Sequence, residues 1–467
     1  MDDFNQLLSE TKLPLSVSPP LPGNIDEPHG RSFDGPLSGE MWRKVKSLNS
    51  KMPDTFNWKV YDDLFSKFGE VQPRGGVVFK SSLKLANHHS TCAKCHYAFE
   101  IDTYGRGCIH NCSYCYAKAQ LTVHGAWNQP HPFPFDLAEI RKIFYTVFET
   151  DKKSKWREVL SKRIPLRIGS MSDSFMKMDK KFHVTKELLK ILSFYDYPHV
   201  IFTRSDLIAE DEYMNLLRKD LCSIQFSISG NNEKLSRLIE PGAPSVDARF
   251  RALETLNKSG FWTTVRINPF FPMHPDGYFT NEDLINTKFG SKANAPKLEL
   301  FDWDMLDRVK EVGTPGLLAG VVRLSGYSVN QMSKVTGINM RDFFDLRTGV
   351  QKGDLKYSDA EVSHYYRRFM SESRLRKLRF STCYIGMGSK DYFQYQNLWS
   401  NKTDCCDAKG NVEKIQTTSQ SISWDERIKH APDKDAATRL SLDDMNEPSL
   451  RTSTLRIVKE RESDAVL

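Results

Sequence analysis

"VTKELLKILSFYDYPHVIFTRS", residues 184–205, decides the architecture because two structural periods meet in it. Residues 184–195 read as an amphipathic helix, and "HVIFTRS", 199–205, reads as a buried strand whose last residues turn polar. The same rhythm extends outward in both directions. Upstream, "PLRIGS" (165–170) is a strand. Downstream, "DEYMNLLRK" is a helix, "CSIQFSIS" a strand, and "SVDARFRALETLNKSG" a helix closed by Gly260 as its C-cap. "FWTTVRINP" then reads as strand, "WDMLDRVKEVG" as helix and "LLAGVVRLS" as strand. This alternation predicts parallel strands joined by right-handed crossovers, hence an α/β barrel or an open doubly wound sheet. In both architectures the active groups gather at the C-terminal strand ends. Those ends are Ser170-Met171-Ser172-Asp173, Thr203-Arg204-Ser205, Ser227-Ile228-Ser229, Arg266-Ile267-Asn268 and Leu324-Ser325, polar where the strands are not.

The 467 residues suffice for one large α/β core with extensions. No apolar run approaches the ~18 residues of a bilayer span, and "MDDFNQLLSETKLPL" lacks the order of a signal peptide. The expectation is a cytoplasmic protein with no membrane partner. Residues 1–75, with "SVSPPLPGNIDEPHG", read as an irregular extension, and 76–330 as the barrel. Residues 331–410 follow as a C-terminal region, and 411–467 as a polar tail, largely flexible. The net charge of +7 permits a polyanionic partner without requiring one.

Nine cysteines, clustered rather than spread, favour metal ligation over a disulfide framework. "GCIHNCSYCYAKAQ", 107–120, places Cys108, Cys112 and Cys115 within eight positions. Thiolates suit zinc or iron–sulfur clusters, and a closed site needs four ligands, so three leave one position open. An open metal position binds substrate or cofactor directly. The alternative is a zinc site completed by His110. A second group comprises Cys92 and Cys95 in C-x2-C form, near His88, His89 and His96, together with Cys383, Cys405 and Cys406. It predicts a second metal site, iron–sulfur or zinc, joining the segment before the barrel to the segment after it. Isolated buried thiols, as at Cys222, are the ordinary alternative.

The array Cys108-x3-Cys112-x-Tyr114-Cys115, set before a series of β-α units, resembles the signature of the radical S-adenosylmethionine (SAM) superfamily. Further segments, "YGRGCIHNCSYCYA", "SMSD", "FTRSDLIAEDEYMNLL", "FSIS", "IEPGAPSVDARFRALETLNKSG" and "VRINPFFP", resemble the spore photoproduct lyase-like branch over residues 100–275. The resemblance implies a partial (β/α)6 TIM-type barrel with N- and C-terminal extensions. It also implies a [4Fe-4S] cluster on the three cysteines, with SAM chelated at the fourth iron. One electron, from a donor such as flavodoxin or ferredoxin, then yields a 5′-deoxyadenosyl radical that abstracts hydrogen from substrate. By the same resemblance Arg204 faces the SAM carboxylate, Ser172 and Ser227 contact the cofactor, Asn268 lies where backbone meets it, and Tyr114 lies beside the adenine.

Tyr116 matches a tyrosine of the hydrogen-return path in the thymine-dimer lyase. Ser170 departs from that enzyme, which has its hydrogen-donor cysteine there, and a serine O–H is a far poorer hydrogen-atom donor. Dimer repair is therefore disfavoured. The resemblance then points to another modified base in DNA, with isomerisation of a glycyl-modified thymine as the concrete candidate. "RRFMSESRLRKLRF", 367–380, carries six cations in thirteen residues, interleaved with aromatics such as Phe369 and Phe380. It reads either as a surface for phosphates and bases or as a helix with a buried stripe. A radical enzyme for a protein or small molecule, and a non-enzymatic metal-binding module, complete the alternatives.

Overall fold

The structure, a computed structural model, describes residues 83–85, 97, 99–123, 127, 132–135, 137–272, 282–345, 355–383, 395–401 and 404–415. One eight-stranded sheet organises them, with its strands in chain order. They are β1 (Lys84–Leu85), β2 (Phe99–Ile101), β3 (Leu166–Ile168), β4 (His199–Thr203), β5 (Cys222–Ser227), β6 (Trp262–Phe270), β7 (Gly316–Val321) and β8 (Arg379–Thr382). β1 runs antiparallel to β2, and every later pairing is parallel. Among the described residues β1 and β8 are the two unpaired edges, so the sheet is open, as a partial barrel.

The principal helices are α1 (Tyr116–Val123), α2 (Ala138–Glu149), α3 (Val184–Phe194), α4 (Glu233–Ile239), α5 (Val246–Lys258), α6 (Met305–Glu311) and α7 (Asp359–Leu375), with α5 packed on β6 and α7 on β7 and β8. In α3 the side chains of Leu188, Leu189 and Leu192 are buried, each worth roughly 1.5–3 kcal/mol of transfer free energy. Ser245 caps α5, accepting from the Ala248 N–H at 3.1 Å, and Gly260 ends the turn at φ +79°, as the sequence predicts.

Successive strand residues face opposite ways, and β6 shows both faces. Thr263 donates to Asn257 of α5, whereas Thr264 and Arg266 point to the segment around Cys406. The face away from the helices carries Arg167, Phe202, Gln225, Thr264, Arg266 and Ser381.

The sheet exceeds the sequence reading at both ends. β2 and β8 escaped notice, and β8 places residues 379–382 in the same sheet as β7. "LLAGVVRLS" ends as a β7 strand at Val321, after which Arg323–Leu324 pairs antiparallel with Leu355–Lys356. "DEYMNLLRK" forms only the short helix Asp211–Met214. Past the sheet, Val412 and Ile415 are buried and the Lys414 N–H donates to the Asp220 carbonyl at 2.9 Å. Residues 1–75 and 416–467 lie outside the described residues. Among the described residues no helix is long and apolar enough to cross a membrane.

Candidate metal and cofactor site

Residues 107–115 form an irregular loop that runs into α1. Its winding is local. The Asn111 N–H donates to the Cys108 carbonyl at 3.1 Å, with Asn111 in the left-handed region at φ 49°, and the Cys115 N–H donates to the Cys112 carbonyl at 3.2 Å. Cys112 is buried, and Cys108 and Cys115 are half-buried. Two cationic side chains attend the sulfurs. Arg204 Nη1 lies 3.2 Å from Cys112 Sγ, and Lys118, whose backbone N–H approaches Cys115 Sγ at 3.4 Å, anchors its Nζ on Asn111 at 2.7 Å. Without a bound metal, burial pushes the Cys112 thiol up to about 12 and the Cys108 thiol higher still. Metal binding therefore displaces protons. Among the described residues no three His, Cys, Asp or Glu side chains already converge on one metal position. What fits an iron–sulfur cluster is the donor set itself: three soft sulfurs on one short loop, with cations beside them.

Behind the loop lies a buried charge network that sequence reasoning missed. Glu240 accepts from Arg204 Nη1 at 2.6 Å, from Arg249 Nη2 at 2.5 Å, and from the Tyr114 hydroxyl. Burial works to raise the Glu240 carboxyl, but Arg249 and Arg204 outweigh it and hold it at about 2. Every bond of the Arg204 side chain among the described residues leaves from Nη1, so Nε and Nη2 remain to meet a carboxylate. "IEPG", 239–242, also fixes the loop. Ser113 N–H donates to the Ile239 carbonyl at 2.8 Å, and a Cβ on Gly242 would lie 1.8 Å from the Ile109 carbonyl oxygen. Only glycine lets these backbones touch.

His110, the local candidate for a fourth zinc ligand, turns its ring to Gly242 and Asp173. Its Nδ1 donates to the Gly242 carbonyl at 3.1 Å, and Nε2 lies 3.1 Å from Asp173. Asp173 in turn receives Thr203 Oγ1 and the Arg204 N–H, each at 2.8 Å. Burial would raise this carboxyl, yet His110 and the backbone donors of Arg204 and Phe175 hold it below its usual range. Asp173 thus ties the end of β3 to the end of β4, where Arg204 stands. A parallel role falls to Asp102, which accepts from the N–H groups of Ser170 (2.8 Å) and Met171 (3.0 Å).

The remaining expected site residues divide. Tyr114 is buried, its ring edge-on to Phe271 at 5.2 Å and its hydroxyl between Arg204 and Glu240. Ser172 donates its hydroxyl to the Tyr104 carbonyl at 2.6 Å, a bond that joins the end of β3 to the backbone just before the cysteine loop. Ser227, at the end of β5, makes no side-chain bond among the described residues. Asn268 stands half-buried in β6, packed against Gly320, where a Cβ would meet its side chain at 2.7 Å. Tyr116 is 61% exposed and donates its hydroxyl to the Ser170 carbonyl. The Ser170 hydroxyl donates to Asp102 at 3.1 Å.

Of the second cysteine group, Cys92 and Cys95 lie outside the described residues. Cys383, Cys405 and Cys406 come together on the other face of the sheet. The basic stretch resolves toward the core: Tyr365, Tyr366, Phe369 and Phe380 are buried, so they offer no stacking surface. Arg376 is bound by Asp307 and Glu372, and Arg379 by Asp407. The aromatics alternate with cations because α7 presents one face to the sheet.

Comparison with known proteins places these observations in a family. Residues 103–280 match the Radical SAM superfamily. An uncharacterised protein of Methanocaldococcus jannaschii is 29% identical over 205 residues, covering 43% of this chain and 68% of that protein. One from Acidianus two-tailed virus is 24% identical over 227 residues, 46% of this chain and 70% of the relative. Among solved structures, spore photoproduct lyase complexed with dinucleoside spore photoproduct matches with TM-score 0.43 and 13% identity, covering 74% of this chain and 94% of that one. Streptococcus suis SuiB bound to S-adenosylmethionine matches with TM-score 0.37 and 11% identity, over 65% and 53% of the two chains.

Proposed function

We propose, from the premise that residues 103–280 belong to the radical SAM superfamily and that the chain is a radical SAM enzyme, that Cys108, Cys112 and Cys115 hold its [4Fe-4S] cluster. The observation that carries this assignment is the three-thiol loop braced by "IEPG" beside Arg204. When bound, the cluster and SAM supply a 5′-deoxyadenosyl radical that takes a hydrogen atom from substrate. Arg204, steered by Asp173 and Glu240, directs Nε and Nη2 to the SAM carboxylate. Ser227, with its hydroxyl uncommitted, and Asn268 line the cofactor's approach along β5 and β6. Tyr114 sets the Arg204 fork rather than exposing a face for adenine, and Ser172 ties the end of β3 to the backbone at Tyr104.

The substrate we propose is a modified base in DNA, with glycyl-modified thymine as the concrete candidate and isomerisation as the reaction. Ser170 favours isomerisation over dimer cleavage. It supplies no thiol hydrogen, and its hydroxyl is committed to Asp102. In an isomerisation the hydrogen taken at the glycyl Cα would return from 5′-deoxyadenosine, and the adenosyl radical so re-formed would rejoin methionine as SAM and return its electron to the cluster, so atoms and electrons balance without a donor residue. Incubating the reduced enzyme with glycylated thymine DNA is expected to give an isobaric, acid-stable nucleoside. SAM cleavage that no nucleic acid stimulates would overturn the DNA assignment. It would favour a protein or small-molecule substrate, the reading that gains from the burial of Phe369 and Phe380.

A further inference from the structure

The sheet face away from the helices holds a second gathering of sulfurs that the SAM site does not use. Cys383 follows β8, and Cys405 and Cys406 lie in the segment that crosses this face. That segment is docked by its backbone. Ser381 donates to the Cys405 carbonyl at 2.5 Å, Gln225 Nε2 to the Cys406 carbonyl at 2.9 Å, and Trp262 Nε1 to the Asp407 carbonyl at 2.8 Å. Asp407 also receives Arg379 Nη2 at 2.7 Å. The thiols are thus fixed from three different strands, β5, β6 and β8.

Arg266 stands among them, 7% exposed. Its guanidinium lies over the Phe202 ring at 4.2 Å. Its polar neighbours among the described residues are sulfurs: Cys383 Sγ at 3.6 Å from Nη2 and Cys406 Sγ at 4.0 Å from Nη1. No carboxylate pairs with it among the described residues, whereas the equally buried Arg249 has Glu240. An uncompensated buried cation costs several kcal/mol, so negative charge belongs at these sulfurs. Cys405 Sγ and Cys406 Sγ are 4.0 Å apart. Two thiolates about 2.3 Å from one tetrahedral ion lie about 3.8 Å apart, whereas disulfide sulfurs are bonded at about 2.05 Å.

We propose that Cys383, Cys405 and Cys406 hold a second, thiolate-ligated soft-metal centre, zinc or iron, with Arg266 as its buried counter-charge. Three thiolates on a divalent ion leave one net negative charge, which the guanidinium balances, and binding releases three protons to solvent. Closure requires the Cys383 sulfur to swing toward the pair, since the three do not yet converge on one point.

The test is metal and sulfide analysis of the anaerobically purified full chain. Wild type is expected to contain one zinc per chain, or iron and sulfide beyond a single four-iron cluster; the zinc and iron arms identify the ion. The Cys405→Ser/Cys406→Ser variant is expected to lose that fraction while keeping the first cluster and 5′-deoxyadenosine formation. X-ray absorption at the metal edge of wild type provides a second measurement that does not depend on the folding of the variant, with at least three sulfurs expected around the additional ion. Arg266→Met keeps every sulfur and is expected to weaken metal retention against a chelator at least tenfold. Cys222→Ala, altering an isolated buried thiol, is expected to change nothing. Metal content identical in wild type and the double variant, or no sulfur-bound ion beyond the first cluster, would overturn the proposal.

Discussion

Two guanidiniums, one half-buried and one buried, face cysteine sulfurs in this molecule, and they are paired differently. Arg204 touches Cys112 and also pairs with the Glu240 carboxylate, which Arg249 shares. Arg266 touches Cys383 and Cys406 and has no carboxylate among the described residues. The first arrangement is complete without a metal and leaves one edge of the fork for a ligand. The second has its cation in place and draws its anion only from thiols. A guanidinium already paired is a recognition element, whereas one paired only to sulfur marks where a charged metal–thiolate group belongs.

Removing Glu240 would erase the difference between the two regions, and that is the largest effect expected. Glu240→Ala leaves Arg204 and Arg249 without their shared carboxylate, so a loss of about 3–5 kcal/mol is expected in denaturant titration of the apo chain. Unchanged stability would mean that the network is not formed. Next in size is acid. Glu240 is held at about 2 against an ordinary 4.5, so its contribution is full above about 4.5 and is lost as pH falls toward about 2. Over that window wild type is expected to lose on the order of 3 kcal/mol from this group, and Glu240→Gln to show a shallower acid limb.

Gly242→Ala tests the loop brace alone. Its Cβ would lie 1.8 Å from the Ile109 carbonyl, so the cysteine loop must shift. Cluster loading is expected to fall several-fold by iron titration, with destabilisation of about 1–3 kcal/mol. Full loading would show that the two backbones separate freely. Smallest is Tyr116→Phe, which removes a bond from a side chain that is mostly solvent-exposed to the Ser170 carbonyl. Stability is expected to change by less than about 0.5 kcal/mol. A change in product distribution without a change in SAM cleavage would assign Tyr116 to hydrogen return.

The two regions also differ in how far the sequence disclosed them. Strands such as His199–Thr203 and Cys222–Ser227 are short apolar runs between amphipathic helices, and periodicity alone exposes them. The cysteine loop was legible because its three thiols are local. Glu240 was not, because it lies 126 residues from Tyr114 and 36 from Arg204, and only the fold joins them. Its segment had been noticed as "IEPG", yet a carboxylate beside a proline and a glycine carries no sign of its partners. Arg379–Thr382 stayed hidden because a four-residue strand after a basic helix offers too few residues to show a period of two. The cation–aromatic alternation of 367–380 left two readings open for a related reason, since a helix with one buried face interleaves the two residue classes without a ligand.

The central claim is that Cys108, Cys112 and Cys115 together hold the cluster at which SAM is split. The direct measurement is 5′-deoxyadenosine formation by anaerobically reconstituted Cys112→Ala, beside Cys222→Ala as a control for losing a buried thiol. Loss of the nucleoside in the first variant and its full retention in the second is the predicted result. Undiminished nucleoside formation by Cys112→Ala would contradict the assignment.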